Sequence, residues 1–199
     1  MAPAHILLAS ASPRRSALLT QIGVSHSVHP VAVDEAPKTA EPPIDYVSRL
    51  AKDKARALWG ELPPEQRLPV LAADTVVALD DQLFGKPRSR ADGIAMLKRL
   101  AGRSHSVHSA VALIREGDLS VRVSSSRVSF RAIAHREIEQ YWNTGEPEGK
   151  AGGYAIQGRA AIFVTHLEGS YSGVMGLPLY ETWELLSGMA GPKEGRAGS

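Results

Sequence analysis

Hydrophobic and polar positions along the chain follow two periods, one typical of strands and one typical of helices. Continuous apolar runs at residues 6–8 and 70–79 predict buried strands, and an alternating stretch at 27–33 predicts another. Apolar residues three and four positions apart predict helices over 13–22 and 44–60, and a glycine ends each of these runs.

The second half of the chain continues the alternation. Two strands, at 107–114 and 121–130, flank Glu116-Gly117-Asp118, a turn sequence typical of a β-hairpin. The remaining predicted elements are a helix through Ile94, Leu97 and Leu100 that stops at Gly102, a helix at 135–143, an irregular glycine-rich stretch at 145–160, a strand at 161–165 and a helix at 178–189.

This order of elements predicts an α/β fold with a mixed, mostly central β-sheet flanked by helices. The central hairpin argues against an all-parallel sheet. No repeat, low-complexity tract or linker divides the chain, so we expect one domain over residues 1–190. Residues 191–199 contribute nothing to a core and are predicted to be a disordered tail.

Composition narrows the function classes. The 199 residues are 43% hydrophobic and 22% charged, as in a globular protein with a core. A net charge of +2 and 6% aromatic residues give no basic, aromatic-rich surface for a nucleic acid. No run approaches the ~20 apolar residues that span a bilayer, and residues 1–9 lack the charged leader of a secretory signal. Without cysteine there is no disulfide, thiolate nucleophile or cysteine-ligated zinc, and we expect a cytoplasmic protein.

The most informative polar cluster follows the first strand. Ser12 stands at the N-cap position of the predicted helix, and Arg14 and Arg15 fall in its first turn, with Ser10 just before. Free backbone N–H groups at a helix start attract anions, and cations there are unfavourable unless an anion lies among them. The cluster therefore predicts a phosphate site. The alternative is an ordinary cap with a solvated basic face.

A second signal is acidic. Asp74 interrupts an apolar strand, and a buried carboxylate must be paired, bound to metal, or placed at a strand end beside a cleft. Asp34 and Glu35 follow another predicted strand, and carboxylates at neighbouring strand ends suit a hydrated Mg²⁺. Structural alternatives are a loop-capping aspartate and a solvated acidic turn.

Two lysines and a glycine-rich stretch complete the candidates. Lys86 lies between Gly85 and Pro87, where its ammonium could be held at a phosphate, and Lys54 lies on a basic helix face. Either lysine alone is also compatible with plain surface. Residues 150–158 combine small residues, which allow close approach of a ligand, with Tyr154 and Gln157. The seven histidines show no metal-ligand spacing, and His105-x-x-His108 is predicted to be structural.

Taken together, these motifs resemble the Maf family of nucleoside triphosphate pyrophosphatases, over about residues 6–186. The resemblance rests on five motifs in order: Ser10-Ala11-Ser12-Pro13-Arg14-Arg15, Ala73-Asp74-Thr75-Val76-Val77, Gly85-Lys86-Pro87, Lys150-Ala151-Gly152 and Gly176-Leu177-Pro178.

The resemblance implies two lobes with a cleft between them, a homodimer, a divalent cation (Mg²⁺ or Mn²⁺), and hydrolysis of a nucleoside triphosphate to monophosphate and pyrophosphate. It makes Asp74 the general base. It links Arg14, Thr75 and Gln157 to substrate choice and places Glu35, Lys54 and Lys86 in the cleft. The sequences 154–158 and 168–171 resemble the branch that acts on dTTP and UTP.

The residues are consistent with that chemistry. Asp74 can take a proton from water or orient a metal-bound water, with Glu35 as a second metal ligand, and the basic residues can neutralise the triphosphate. Gln157 offers an acceptor and a donor for N3–H and O4 of uracil or thymine, although a rotated amide would also pair with cytosine. The alternatives are the 7-methyl-GTP branch, which Gln157 disfavours, and a regulatory nucleotide-binding protein with incidental hydrolysis.

Overall fold

One mixed sheet of seven strands organises the molecule. The computed structural model describes residues 5–80 and 82–188, so the predicted tail at 191–199 lies outside the described residues. The strands are β1 (Ile6–Leu8), β2 (His26–Val28), β3 (Val70–Leu79), β4 (Gln82–Phe84), β5 (Ser104–Arg115), β6 (Asp118–Phe130) and β7 (Val164–Glu168). Their order is β2-β1-β3-β5-β6-β7, with β4 paired to β3. The pairs β1–β2 and β1–β3 are parallel and the others antiparallel, as a mixed sheet requires.

Helices cover both faces of this sheet. They are α1 (Pro13–Gln21), α2 (Pro43–Glu61), α3 (Arg90–Leu100), α4 (His135–Trp142), α5 (Tyr171–Met175) and α6 (Leu179–Ser187). Short 3₁₀ turns lie at Pro64–Gln66, Ala151–Gly153 and Arg159–Phe163. Within the described ranges, no helix has the length and apolar character needed to cross a membrane.

The alternation of β3 divides the core into two layers. Leu71 and Ala73 pack with α1 and α6 on one face, whereas Ala72 and Val76 pack with α2 on the other. Successive strand residues point to opposite faces, so both faces of this strand are covered and its sequence is almost continuously apolar. Asp74 therefore points toward the α2 face and Thr75 toward the other.

The edge of β3 changes partner along its length. Val70 and Leu71 pair with β1, while Val77 to Leu79 pair with β4. Between them, residues 72–76 have a strand neighbour on the β5 side only. This opening between β1 and β4 leaves room beside Asp74 and Thr75.

Most predicted elements are confirmed, with corrections at their ends. The strand predicted at 27–33 stops at Val28, because Pro30 has no N–H to continue the ladder. The last helix ends at Ser187 instead of 189, since Gly188 adopts a left-handed φ of 73°. Residues 161–163, predicted as strand, belong to a 3₁₀ turn, and β7 follows it at Val164–Glu168.

Two short elements and one cap were not predicted correctly. The strand β4 and the helix α5 are new, and at three and five residues they are too short to show a period. Ser12 occupies the N-cap position of α1, but its side chain makes no capping hydrogen bond. Instead its backbone N–H donates to Ser10 Oγ at 3.1 Å.

Candidate active site

The opening along β3 leads into a cavity of about 540 Å³, within the range of small-molecule sites. The loop before α1, one face of α2, the middle of β3, the Lys86 loop, the segment 148–157 and the end of α5 line it. All ten predicted site residues lie on its wall: Ser10, Ser12, Arg14, Arg15, Glu35, Lys54, Asp74, Thr75, Lys86 and Gln157. The sequence motifs are thus brought together in one place, and Asp74 faces the same space as the two arginines.

Backbone carbonyls at the C-terminal end of α5 hold the two arginines of α1. Arg15 Nε donates to the carbonyl of Gly176 at 2.7 Å, and its Nη1 donates to Ser10 Oγ at 3.2 Å. Arg14 Nε donates to the carbonyl of Met175 at 3.3 Å. Burial lowers the pKa of both guanidiniums, and for Arg15 the charge of Asp74 opposes that effect. Two positive charges are thus placed at the helix start, where an anion would offset their repulsion.

A buried ammonium joins the two carboxylates predicted for the site. Lys54 Nζ lies 2.6 Å from Asp74 Oδ1 and 2.7 Å from Glu35 Oε1. Asp74 and Lys54 are both buried, at 8% and 7% exposure. The interpretation of Lys54 as plain surface is therefore wrong, and the pairing of Asp74 is confirmed.

The positions of the carboxylates differ from the expected strand ends. Asp74 lies in the middle of β3, and Glu35 lies seven residues beyond the end of β2. Asp34, also considered, lies outside the cavity wall and accepts a hydrogen bond from the N–H of Ala36. The carboxylates meet because residues 29–42 cross toward α2, a path that the alternation of apolar residues does not encode.

Lys86 extends the cationic wall. Its Nζ lies 3.3 Å from Glu35 Oε2, and its side chain is 60% exposed. Burial raises the pKa of Glu35, but Lys54 and Lys86 outweigh it and the net pKa is lowered. Glu35 is therefore a carboxylate at neutral pH, and Lys86 is free to reach a ligand in the cavity.

The glycine-rich segment forms the opposite wall. The N–H of Gly152 donates to the carbonyl of Gly85 at 3.0 Å, which ties this segment to the Lys86 loop. Gly152 has a φ of 67°, and a Cβ there would lie 2.9 Å from Val77, so only glycine fits. Gln157 is exposed and makes no hydrogen bond to the described residues, which leaves both ends of its amide open.

Tyr154 has a different role from the one expected. It borders the cavity, but its hydroxyl bonds to His105 Nε2 at 2.8 Å and its ring packs against Phe130. His105 is 2% exposed, which agrees with a structural role for this histidine. The tyrosine hydroxyl is therefore not directed at a ligand.

Tyr46 and Ser109 escaped the sequence interpretation, and Lys150 was named there only as part of a motif. Tyr46 and Lys150 line the cavity, and Ser109 lies behind it in contact with Thr75. Tyr46 is two turns before Lys54 on the same face of α2, a spacing that could have revealed it. Burial, together with Asp74 and Glu35, raises the pKa of Tyr46 to about 12. Burial and the charge of Arg14 lower the pKa of Lys150.

The carboxylates fit a divalent cation only in part. Mg²⁺ binds through one or two carboxylates and completes its shell with waters and substrate phosphates. Glu35 and Asp74 lie close enough together to provide such a pair, but the point that they share is occupied by the Lys54 ammonium. Within residues 5–80 and 82–188, no group of three histidine or acidic side chains forms a fuller cage. The donor set suits a cation that arrives together with phosphate oxygens.

Comparison with known proteins shows which proteins the chain is similar to. The family model described as Maf-like protein matches residues 5–189. The dTTP/UTP pyrophosphatase of Alkalilimnicola ehrlichii is 54% identical, over 92% of this chain and 91% of its own. The protein of the same name from Bordetella pertussis is 50% identical over 96% of both chains. Among solved structures, the Staphylococcus aureus Ham1 protein covers 63% of this chain and 71% of its own, at a TM-score of 0.40 and 15% identity.

Proposed function

The chain belongs to the Maf-like protein family, and we propose that it is a nucleoside triphosphate pyrophosphatase that hydrolyses dTTP and UTP to the monophosphate and pyrophosphate. Relatives about 50% identical over nearly the whole chain carry that name. One observation of the structure carries the proposal. Asp74 and the cations Arg14, Arg15 and Lys86 line a single cavity of a size that suits a nucleotide.

In the proposed reaction Asp74 is the general base. One of its oxygens accepts from Lys54, and the other makes no hydrogen bond to the described residues. That second oxygen takes a proton from water as the water attacks the α-phosphorus. The bond from the α-phosphorus to the bridging oxygen breaks, and pyrophosphate leaves with the electron pair.

The basic residues neutralise the charge that develops. Arg14 and Arg15 are held by the carbonyls of Met175 and Gly176, so their guanidiniums are oriented before a substrate arrives. Lys86, on the opposite side of Glu35 from Lys54, is assigned to the leaving pyrophosphate. Fixed cations of this kind lower the barrier because they need no reorganisation during the reaction. Ser10 and Ser12 contribute to the same anion-binding turn.

A divalent cation, Mg²⁺ or Mn²⁺, fits the proposal. Glu35 would hold it together with oxygens of the triphosphate, because the one Asp74 oxygen that Lys54 leaves open takes the proton. When bound, it would supply positive charge that offsets the charge of the phosphates. Activity that persists undiminished in excess chelator would contradict this part of the proposal.

The base would lie against Gln157, whose free amide can donate to O4 of uracil or thymine. A panel of nucleoside triphosphates, assayed for pyrophosphate with and without Mg²⁺, tests the activity. We expect preference for dTTP and UTP. Orthophosphate as the first product, or preference for 7-methyl-GTP, would contradict the proposal.

Replacement of Asp74 tests the assignment of the base. Asp74→Asn should reduce turnover by ~10²–10⁴ and largely preserve nucleotide binding, because the amide cannot accept the proton. Asp34→Asn is a matched control, since Asp34 lies outside the cavity wall and should keep wild-type turnover. Wild-type turnover in Asp74→Asn would favour a binding protein with incidental hydrolysis.

The resemblance predicts a homodimer and the composition predicts a cytoplasmic location, and both stay predictions. Light scattering of the purified chain tests the first. Fractionation of cells that express the chain tests the second.

A further inference from the structure

A chain of hydrogen bonds behind the cavity wall determines which way one hydroxyl of the site points its proton. Thr75 on β3 and Ser109 on β5 are direct cross-strand partners. Their side-chain oxygens lie 2.7 Å apart. Ser109 is 1% exposed, whereas Thr75 borders the cavity.

The direction of this bond follows from the number of protons available. Ser109 Oγ lies 2.6 Å from the carbonyl oxygen of Gly173, which can only accept. A serine hydroxyl has one proton, so Ser109 donates it to Gly173. The bond between the two hydroxyls then requires Thr75 to be the donor. The other acceptor near Thr75, the carbonyl of Gly176, is at 3.5 Å and competes weakly.

Thr75 therefore faces the cavity with lone pairs and has no proton to offer. Phosphate oxygens also act as acceptors, so Thr75 is a poor ligand for the triphosphate. On a nucleoside triphosphate the groups that donate are the N–H groups of the base and the hydroxyls of the sugar. An acceptor placed in this way discriminates between bases that present N–H and bases that present a bare ring nitrogen.

On this basis we infer that Ser109 is a positioning residue that makes Thr75 an obligatory acceptor for the N3–H of uracil or thymine. The inference deepens the proposed function and rests on it. Cytosine presents an unprotonated N3 at the same position, which would put two lone pairs in contact. A site built to pair with a proton rejects the analogue that lacks it, because its own polar group stays unpaired.

This arrangement supplies a discrimination that Gln157 cannot. The Gln157 amide makes no hydrogen bond to the described residues, so it can rotate and present either end to a base. Thr75 cannot reverse its hydroxyl without breaking the bond to Ser109. Selectivity against cytosine is thus assigned to the buried pair behind the wall.

The test compares dTTP and dCTP in Ser109→Ala. Without Ser109 the Thr75 hydroxyl can rotate and donate into the cavity, so the ratio of kcat/KM for dTTP to that for dCTP should fall about tenfold, the effect of roughly one neutral hydrogen bond. The change should lie in KM, with kcat for dTTP within about twofold of wild type. If kcat/KM fell equally for dTTP and dCTP, so that their ratio stayed at the wild-type value, Ser109 would have a structural role only.

Two further variants sharpen the result. Ser124→Ala is the matched control, because Ser124 is a buried serine opposite Ser109 across β5 and β6 and its hydroxyl makes no hydrogen bond to the described residues. It should keep the wild-type ratio. Thr75→Val should lower the ratio as Ser109→Ala does, and the double variant should be no lower than Thr75→Val alone, because Ser109 acts through Thr75. Additive losses would overturn the inference.

A contact of Thr75 with the sugar is distinguished from one with the base by 2′,3′-dideoxythymidine triphosphate, which lacks the sugar hydroxyl of dTTP. We expect Ser109→Ala to weaken this substrate and dTTP equally. An effect that vanishes with the dideoxy substrate would assign Thr75 to the sugar hydroxyl and overturn the inference. If the wild-type chain releases no pyrophosphate from dTTP, the proposed function fails. The inference is then decided by calorimetric binding of dTTP and dCTP to the same variants.

Discussion

At the scale of single residues, Lys54 explains how two carboxylates share one corner of the cavity. Its side chain is 9% exposed, and its ammonium contacts both Asp74 and Glu35. A buried ammonium alone would be costly, and so would two carboxylates without a cation between them. Lys54 therefore holds the proposed general base in place, and removal of the lysine charge leaves Asp74 buried and unpaired.

Lys54→Met should reduce the free energy of unfolding by about 3 kcal/mol at neutral pH, because one partner of a buried ion pair is lost. Lys54 also lowers the pKa of Glu35, so its contact with Glu35 stabilises the fold fully at any pH above the ordinary pKa of that carboxyl. This contribution is lost as the pH falls through the lowered pKa, because Glu35 then takes up a proton. Urea denaturation at neutral pH and at about pH 3 measures both effects.

Lys52→Met, two residues before Lys54 on α2, is the control. Lys52 makes no ion pair within the described ranges, so its replacement should change the stability by less than about 0.5 kcal/mol. Equal losses of unfolding free energy in the two variants would contradict the interpretation. So would a difference between Lys54→Met and wild type that becomes larger in acid.

At the scale of elements, the contact between α3 and α4 depends on one glycine. Gly93 is buried in α3, and a Cβ at that position would overlap the ring of Trp142 at the end of α4. A glycine inside a helix costs about 1 kcal/mol relative to alanine, so its presence here reflects close packing and not helix propensity. The ring of Trp142 can approach the α3 backbone only because there is no side chain.

Gly93→Ala should therefore destabilise the protein, by about 1–3 kcal/mol, against the usual trend for glycine in a helix. Gly60→Ala in α2 is the matched substitution in open space, since no atom lies within 4 Å of the added Cβ. It should stabilise the protein by about 0.5–1 kcal/mol. Thermal denaturation of both variants measures whether each substitution stabilises or destabilises the protein. A Gly93→Ala variant more stable than wild type would refute the packing argument.

At the scale of the whole molecule, three hydrophobic clusters enclose the sheet and one of them contains a titratable group. His105 lies against Phe130 and Tyr154, which belong to the cluster under α3 and α4. Burial lowers the pKa of His105 to about 4. In the unfolded chain the ring takes up a proton near its ordinary pKa of about 6.5, so the unfolded state binds more protons between these values. Global stability must fall as the pH drops through that range.

The pH dependence of folding tests this. Between pH 7.5 and about pH 5 the wild type should lose about 2 kcal/mol of unfolding free energy that His105→Phe does not lose, because phenylalanine cannot bind the proton. His166→Phe, at an exposed position, should retain the full wild-type loss. Urea denaturation at the two pH values measures the difference. If the unfolding free energy of His105→Phe fell with pH as steeply as that of the wild type, the assignment to His105 would be wrong.

The local elements were predictable because each depends on neighbours in the chain. The apolar period of 44–60 predicted α2, and the run at 70–79 predicted β3 without error at either end. Prediction failed where contacts between distant segments decide whether an element forms. The strand β4 exists only as a partner of β3, and α5 is a single turn whose carbonyls meet Arg14 and Arg15.

The membership of the site was likewise visible in the sequence, because arginines at a helix start and a carboxylate in an apolar strand are costly without partners. Which partners they have was not visible. Lys54 was indistinguishable from the other cations of its helix until α2 packed against β3 and buried it. Ser109 gave no signal at all, since its effect depends on the cross-strand register and on a carbonyl 64 residues away.

The sequence by itself determined the longer strands and helices, the two-sided burial of β3 and the residues available for phosphate chemistry, because each rests on short-range spacing and on the cost of isolated charge. The tertiary structure alone decided that β3 loses its edge partner between β1 and β4, that one ammonium joins Glu35 to Asp74, and that Thr75 faces the cavity as an acceptor. These features arise from contacts between segments far apart in the chain, and no local period records which distant groups will meet.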